Sequence, residues 1–201
     1  MRCGNLMGAS SPVRLCLAVV AALLLSACAS QTPTPDVEPE TEGAVAPEVA
    51  SAFAEAVALK RAGETVAAET EFLKLNGAHP DLPGPLANLG IIALERDENE
   101  QAEAYFQKAV AADPAHLHSL NYLGVLARQR GDFQAAEGYY RAALAVDPDF
   151  QPAVRNLAIL LDLYRGEFDE ALALYRHYQA LQPEPDPKLK DWIFDLENRM
   201  N

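Results

Sequence analysis

Few residues in this sequence have the type and spacing that catalysis or metal binding requires. His116 and His118 are the one closely spaced histidine pair, and no cysteine or third histidine lies near them. Side chains two positions apart do not share a helix face. The carboxylates occur in runs such as residues 97–100, which are typical of solvated helix surfaces. Because glycine-rich phosphate loops, nucleophile elbows and HExxH are also missing, we expect no enzymatic activity, metal site or cofactor.

Cys28 is the residue with the clearest expected chemistry. It follows two arginines, an apolar run at 15–25 and the small residues Ser26 and Ala27. A run of eleven residues is too short to span a bilayer permanently and predicts a removable targeting segment. Leu25-Ser26-Ala27-Cys28 resembles the lipobox of bacterial lipoproteins. That resemblance implies cleavage of a signal peptide at 1–27 and attachment of acyl chains, palmitate among them, to Cys28. An ordinary signal peptide, with Cys28 incidental, is the alternative.

The residues after Cys28 predict where such an anchor would hold the protein. Ala29 stands at the sorting position; by resemblance to the rule in enteric bacteria, this implies the outer membrane, facing the periplasm. Residues 28–48 contain four prolines, five carboxylates and no basic residue. Such a composition predicts a disordered linker. The net charge of −13 argues against nucleic-acid binding and against attraction to anionic lipid.

A period of 34 residues organises the rest of the chain. Alanines, aromatic residues and prolines recur at this spacing, and a last step of 35 residues continues the series: Ala68, Ala102, Ala136 and Ala171; Phe72, Phe106, Tyr140 and Tyr175; Pro80, Pro114, Pro148 and Pro183. Within the unit 117–150, apolar residues at i, i+3, i+4 and i+7 predict two amphipathic helices separated by a turn at Gly131. The pattern resembles the tetratricopeptide repeat.

The resemblance implies an all-α, right-handed superhelical solenoid of antiparallel helix pairs. Four repeats fit residues 49–183, at approximately 49–82, 83–116, 117–150 and 151–185. Gly90 and Gly124 are expected where the two helices of a pair approach closely. Asp97 replaces the turn glycine of the second repeat, and the extra residue of the fourth is expected between Asp162 and Glu167.

Residues 184–201 predict one further amphipathic helix. Its apolar positions are Leu189, Trp192, Ile193, Leu196 and Met200. We expect a capping helix that covers the last repeat. The alternative is a helix that binds a partner, with Trp192 as its anchor.

In the tetratricopeptide family the first helices of successive pairs line a groove that accepts peptides. The repeat phase assigns six candidate partner-binding residues to this groove: Asn88, Asn121, Tyr122, Arg128, Arg155 and Asn156. The asparagines can bond an extended backbone, and the arginines can pair with carboxylates. Alternatively, Asn88 and Asn156 pack locally. Aliphatic residues stand at the clamp asparagine position of chaperone-binding repeats, which argues against that specificity.

These features predict a non-catalytic scaffold or adaptor, anchored in the outer membrane by lipid, that binds an envelope protein or peptide and no nucleic acid. The organisation resembles that of pilotins, which assist assembly of pilus or outer-membrane complexes. It also resembles tetratricopeptide lipoproteins that serve as adaptors of peptidoglycan enzymes. The sequence does not select between these two, and it does not give the oligomeric state.

Overall fold

A computed structural model describes residues 45–184 and 186–200, and every regular element within these ranges is helical. A π-helical turn, Leu161–Arg165, follows the seventh of nine α-helices. These helices are α1 (Pro47–Arg61), α2 (Thr65–Ala78), α3 (Pro83–Glu95), α4 (Asn99–Ala112), α5 (Leu117–Gln129), α6 (Phe133–Val146), α7 (Gln151–Leu160), α8 (Phe168–Leu181) and α9 (Pro187–Met200).

The predicted signal peptide, Cys28 and residues 29–44 of the predicted linker lie outside the described residues. The last two residues assigned to that linker, Pro47 and Glu48, belong to α1 instead. Proline fits the first turn of a helix because the amide hydrogen that it lacks would have no partner there. None of the helices in the described ranges is long and apolar enough to cross a membrane.

The first eight helices form four consecutive pairs, and the predicted all-α solenoid is confirmed. The first helix of each later pair also packs against the second helix of the pair before it. Buried apolar residues form successive clusters along the array, and each cluster draws side chains from more than one pair. Each pair therefore depends on its neighbours for part of its core.

Two glycines allow close contact within the second and third pairs, as expected. A Cβ atom on Gly124 would lie 2.4 Å from Tyr140 Cε1, and one on Gly90 would lie 2.6 Å from Phe106 Cε1. The nearest neighbour is thus an aromatic ring, which takes the space that a larger side chain on the first helix would occupy. Both rings are fully buried.

The turns inside the four pairs share one backbone feature, a residue with positive φ. It is Gly63 (φ 80°), Gly131 (φ 83°) or Gly166 (φ 68°) in three pairs and Asp97 (φ 60°) in the second. The second turn also closes as the third does: Glu98 N donates to Ala93 O at 2.9 Å, and Asp132 N donates to Ala127 O at 2.9 Å. Asp97 therefore adopts the conformation that glycine adopts elsewhere.

We expect Asp97→Gly to stabilise the protein by up to about 1 kcal/mol. A residue with a Cβ is disfavoured in the left-handed region, although aspartate tolerates it better than most. The greater flexibility of glycine in the unfolded chain limits the gain. Thermal unfolding measures the effect, and Gly131→Asp should change stability in the opposite direction. A lower melting temperature for Asp97→Gly would contradict this explanation.

The additional residue of the fourth repeat is accommodated in the π-helical turn. Glu167 N donates to Leu161 O at 3.0 Å, so this turn spans one residue more than the equivalent bond from Asp132 to Ala127. π-Helices occur mostly as single-turn bulges inside α-helices, and this one takes up one residue more than an α-helical turn. The insertion therefore lies in the last turn of the first helix and leaves Gly166 in place.

Helix α9 covers the end of the array. Leu189 (1% exposed) and Leu196 (0%) join the same core cluster as α7 and α8, and Ile193 packs against it. Trp192 (38%) and Met200 (39%) are exposed, although the helical spacing predicts them on the buried face. The apolar stripe of α9 is thus wider than the surface that it covers.

Three ion pairs recur at equivalent positions of successive repeats and were not predicted. In each, an arginine at the end of a first helix binds a glutamate on the preceding second helix: Arg96 to Glu69 at 2.6 Å, Arg130 to Glu103 at 2.8 Å, and Arg165 to Glu137 at 3.4 Å. The glutamates follow one another at 34-residue steps. These side chains are partly exposed, so each pair contributes on the order of 1 kcal/mol or less.

Candidate functional site

The first helices of the third and fourth pairs contact each other directly, and together they form a continuous surface. We call this surface, lined by α5 and α7, the first-helix face. Five of the six predicted partner-binding residues lie on these two helices: Asn121, Tyr122, Arg128, Arg155 and Asn156. Arg155 is exposed, Arg128 and Asn156 are partly buried, and Asn121 and Tyr122 are buried. Val125 and Ile159 are partly buried between them.

A hydrogen bond joins the two asparagines across the repeat boundary. Asn156 Nδ2 donates to Asn121 Oδ1 at 2.9 Å. Each amide has further bonding capacity, because an amide nitrogen donates twice and an amide oxygen accepts twice. The hydrogen bond therefore holds Asn121 Nδ2, a donor, and Asn156 Oδ1, an acceptor, at a fixed distance from each other.

Two of the candidates, Asn88 and Tyr122, contact their own or the preceding helices. Asn88 is fully buried, and its Nδ2 donates to Gly84 O one turn earlier at 3.0 Å. The Tyr122 ring stacks on Phe106, with ring centroids 4.9 Å apart and an interplanar angle of 9°. Asn88 presents no surface to a partner, which corrects its assignment as a contact. Tyr122 is 8% exposed, about as buried as Asn121 at 7%, and its assignment stays a prediction. The structure favours the local packing that the sequence offered as the alternative for Asn88.

Arg128 is partly exposed near the end of α5 and lies beside the hydroxyl of Tyr140. Burial raises the pKa of Tyr140, while hydrogen bonding and the positive charge of Arg128 act in the opposite direction. The contact falls short of a well-aligned hydrogen bond, since Arg128 Nε and Tyr140 Oη are both buried without a partner among the described residues. The guanidinium therefore has unused donors, and no described carboxylate forms an ion pair with it.

Arg155 lies exposed on α7 against the cap helix. Its guanidinium carbon is 5.9 Å from the centroid of the Trp192 ring, a distance that permits a cation–π interaction. The Tyr175 ring is 6.0 Å from the same Trp192 ring. Trp192 therefore connects α9 to the first-helix face, and its exposed edge forms part of that surface.

A pocket of about 440 Å³ lies where α7, α8 and α9 meet. Its polar end is Asp162, 7% exposed, whose carboxylate accepts hydrogen bonds from Arg199 at 2.6 Å and from the Tyr175 hydroxyl at 3.2 Å. Burial raises the pKa of Tyr175, and the charge of Asp162 adds to this effect. Its apolar wall is formed by Ile159, Leu163 and Trp192.

His116 has a structural role at the start of α5. The side chain is 1% exposed, and Nδ1 accepts from the backbone N–H of Ser119 at 3.3 Å, while the Ser119 hydroxyl lies 2.9 Å away. This is the position and bonding of a helix N-cap. The described residues contain no group of three side chains that could hold a metal ion.

We expect His116 to make stability depend on pH between about 6.5 and about 4. Its pKa is lowered to about 4, mainly by burial and also by the nearby His118, while Asp113 acts in the opposite direction. The unfolded chain binds a proton near the ordinary pKa of histidine, so lowering the pH through this window favours unfolding. We expect His116→Asn, which keeps a capping group without titrating, to lose less stability across the window. Equal pH profiles in chemical denaturation would contradict this.

Comparison with known proteins agrees with the repeat architecture. Two family models described as tetratricopeptide repeat match residues 88–152 and 127–191, which together span about half of the chain. The fold and these matches define an all-α repeat protein. The repeats within residues 88–191 are tetratricopeptide repeats. No curated protein sequence matches the chain.

Solved structures with the same fold come from several bacteria. MamA (41-end) from Desulfovibrio magneticus RS-1 has 17% identity and a TM-score of 0.63, with 78% of this chain and 88% of that chain covered. PilF of Pseudomonas aeruginosa has 18% identity and a TM-score of 0.66, with 76% and 68% covered. A tetratricopeptide repeat protein of Parabacteroides merdae has 23% identity and a TM-score of 0.59, with 76% and 59% covered. At these identities the likeness concerns the fold.

Proposed function

We propose that this protein is a non-catalytic adaptor that binds an extended segment of another protein along the first-helix face of its third and fourth repeats. The Asn121–Asn156 hydrogen bond is the observation that carries the proposal. It holds a polar donor and acceptor at a repeat boundary on a surface that also presents aliphatic side chains.

The surroundings of the asparagine pair suit an extended peptide. The hydrogen bond leaves the Nδ2 group of Asn121 and the Oδ1 atom of Asn156 for the C=O and N–H groups that an extended backbone presents. Val125 and Ile159, both partly buried, provide apolar contacts beside the pair. An extended segment presents alternate side chains to such a surface, and its backbone groups supply the hydrogen bonds.

Site-specific photocrosslinking tests the location of this surface. A photoreactive residue in place of Gln129, the exposed last residue of α5, should capture the partner in cells. The matched control is Gln134, which is also exposed but lies on the second helix of the same pair. Equal capture at both positions, or capture at Gln134 alone, would show that the partner binds elsewhere.

We also propose that the protein is a lipoprotein held at the outer membrane, with its repeats in the periplasm. The support is the lipobox resemblance of residues 25–28 and the alanine that follows Cys28. Attached acyl chains give stable anchoring because each buried methylene adds roughly 0.8 kcal/mol. Cys28→Ser should shift the protein from the membrane fraction to the soluble periplasmic fraction. Retention of the variant in membranes would contradict lipid anchoring.

The adaptor could serve in either of two settings, and deletion of the gene separates them. A pilotin-like assembly factor should be needed to place an outer-membrane oligomer correctly. An adaptor of peptidoglycan enzymes should leave such oligomers normal and alter the activity or position of those enzymes. Fractionation for the oligomer and analysis of peptidoglycan composition report the two outcomes.

A further inference from the structure

The third and fourth repeats differ in how they use the hydroxyl of their equivalent buried tyrosines. In the fourth repeat, Tyr175 donates to the carboxylate of Asp162, and Arg199 binds the same carboxylate at 2.6 Å. The chain thus supplies tyrosine, carboxylate and arginine together. The tyrosine hydroxyl and both carboxylate oxygens of this arrangement are hydrogen-bonded.

The third repeat has the tyrosine and an arginine at the corresponding place, but it has no carboxylate there. Tyr140 stands 35 residues before Tyr175, and Arg128 stands 34 residues before Asp162, so the arginine occupies the position where the fourth repeat has its acid. Tyr140 Oη and Arg128 Nε are buried and lack partners among the described residues. Buried donors and acceptors are rarely left unsatisfied in a folded protein.

Arg128 differs from most arginines of the described ranges in having no acidic partner, a property that it shares with Arg155, which lies against the Trp192 ring. The charged side chains at the equivalent position of other repeats, Lys60 and Asp162, are each in an ion pair, with Glu95 at 3.1 Å and Arg199 at 2.6 Å respectively. Most arginines in the described ranges also bind carboxylates: Arg96, Arg130, Arg141, Arg165, Arg176 and Arg199. In a chain with a net charge of −13, a partly exposed arginine without an acidic partner in those ranges is unexpected.

We propose that Arg128 is a carboxylate-binding residue that recognises an acidic group of the bound partner, with Tyr140 holding the guanidinium in place. This inference rests on the proposed adaptor function and specifies what the first-helix face selects. The two Nη groups of Arg128 form the planar donor pair that a carboxylate accepts. A small rotation of the Arg128 guanidinium would let its Nε donate to the Tyr140 hydroxyl while the Nη groups bind the carboxylate. In the complex, the two groups that are unpaired in the free protein would then be paired. The carboxylate comes from an acidic side chain or from the end of a peptide chain.

Pooled synthetic peptides test this even though the partner is unidentified. Random eight-residue peptides, one pool with a free C-terminal carboxylate and one with a C-terminal amide, are selected on the immobilised full chain. We expect retained peptides to carry Asp or Glu at a fixed position in both pools, or to come from the free-acid pool alone. The first result identifies a side-chain carboxylate, and the second identifies a chain terminus.

A double-mutant cycle then assigns the carboxylate to Arg128. Replacing the acid of the best peptide by the corresponding amide should weaken binding about tenfold or more, as should Arg128→Gln, and the combination should cause little further loss. Arg128→Lys should retain part of the affinity because it keeps the charge. The control is Arg130→Gln, two residues away, whose arginine binds Glu103 at 2.8 Å. Melting temperatures confirm that each variant is folded.

The outcomes separate this inference from the proposed function. Peptides that bind the first-helix face, as shown by crosslinking at Gln129, but have no acidic preference would overturn the carboxylate site and leave the adaptor function standing. Additive losses from the peptide change and Arg128→Gln would overturn it as well. If neither pool yields a peptide that binds, both proposals fail.

Discussion

Replacing Gly124 by alanine is expected to lower the free energy of unfolding by about 2–3 kcal/mol. The added methyl group would be 2.4 Å from Tyr140 Cε1 and 2.7 Å from Tyr140 Cδ1. Real carbon atoms do not approach so closely, so the ring or α5 has to move. Tyr140 is fully buried in the core cluster shared by the third and fourth pairs, and its displacement would disturb both. Chemical denaturation of the purified protein measures the loss.

Gly138→Ala provides a matched control in the same repeat. Gly138 lies on the exposed side of α6, and a Cβ atom there would meet nothing within 4 Å. Because alanine is favoured over glycine within a helix, this change should stabilise the protein by roughly 0.5–1 kcal/mol. The same substitution thus has opposite effects on the two helices of one pair. Similar effects at Gly124 and Gly138 would contradict the role assigned to the close helix contact.

Leu196→Ala in α9 is expected to destabilise the protein by about 3 kcal/mol, within the range of about 2–5 kcal/mol typical of buried leucine. Leu196 is 0% exposed and lies in the same cluster as Leu157, Leu160 and Leu161. Its removal leaves a cavity between the cap and the fourth pair. Thermal or chemical unfolding should show the loss in the main transition, because the cap and the last repeat share one core.

Phe194→Ala is the control on the same helix. Phe194 is 67% exposed, and its truncation should change stability by no more than about 0.5 kcal/mol. If Leu196→Ala instead left stability unchanged, α9 would be a detachable helix, as the partner-binding alternative requires. The pair of variants therefore distinguishes a structural cap from a segment whose main purpose is binding.

The fold could be predicted largely because the repeat is a local pattern seen several times. The recurrence of Ala102 and Phe106 at Ala136 and Tyr140 is visible without coordinates, and Gly131 marks a turn by its residue type alone. Asp97 is harder to interpret because aspartate is ambiguous between a helix end and a left-handed turn residue. Its φ of 60° resolves this. The glutamates at 34-residue steps can also be seen in the sequence. Which arginine each of them binds depends on the contacts between successive helix pairs and cannot be read from the spacing.

The candidate site was predicted less well, because repeat phase gives the helix face and does not give side-chain exposure. Asn88 and Asn156 lie at equivalent positions, yet Asn88 is fully buried and bonds its own helix, while Asn156 bonds Asn121 across the repeat boundary. The difference depends on the neighbouring pairs, which sequence spacing does not describe. Trp192 has the spacing of a core residue and is 38% exposed for the same reason.

The sequence by itself determined that the described part of this protein is a helical solenoid, because each unit repeats the apolar spacing that makes it pack on the next. The tertiary structure decided which polar side chains are paired inside the protein and which are left to bind a partner. Asp162 and Arg199 are 37 residues apart and satisfy each other only because α9 folds back over the fourth pair. Arg128 has no such neighbour in the part of the chain that the structure describes. Pairing of charges over such separations depends on distances in space, and those distances are fixed only when the helices have assembled.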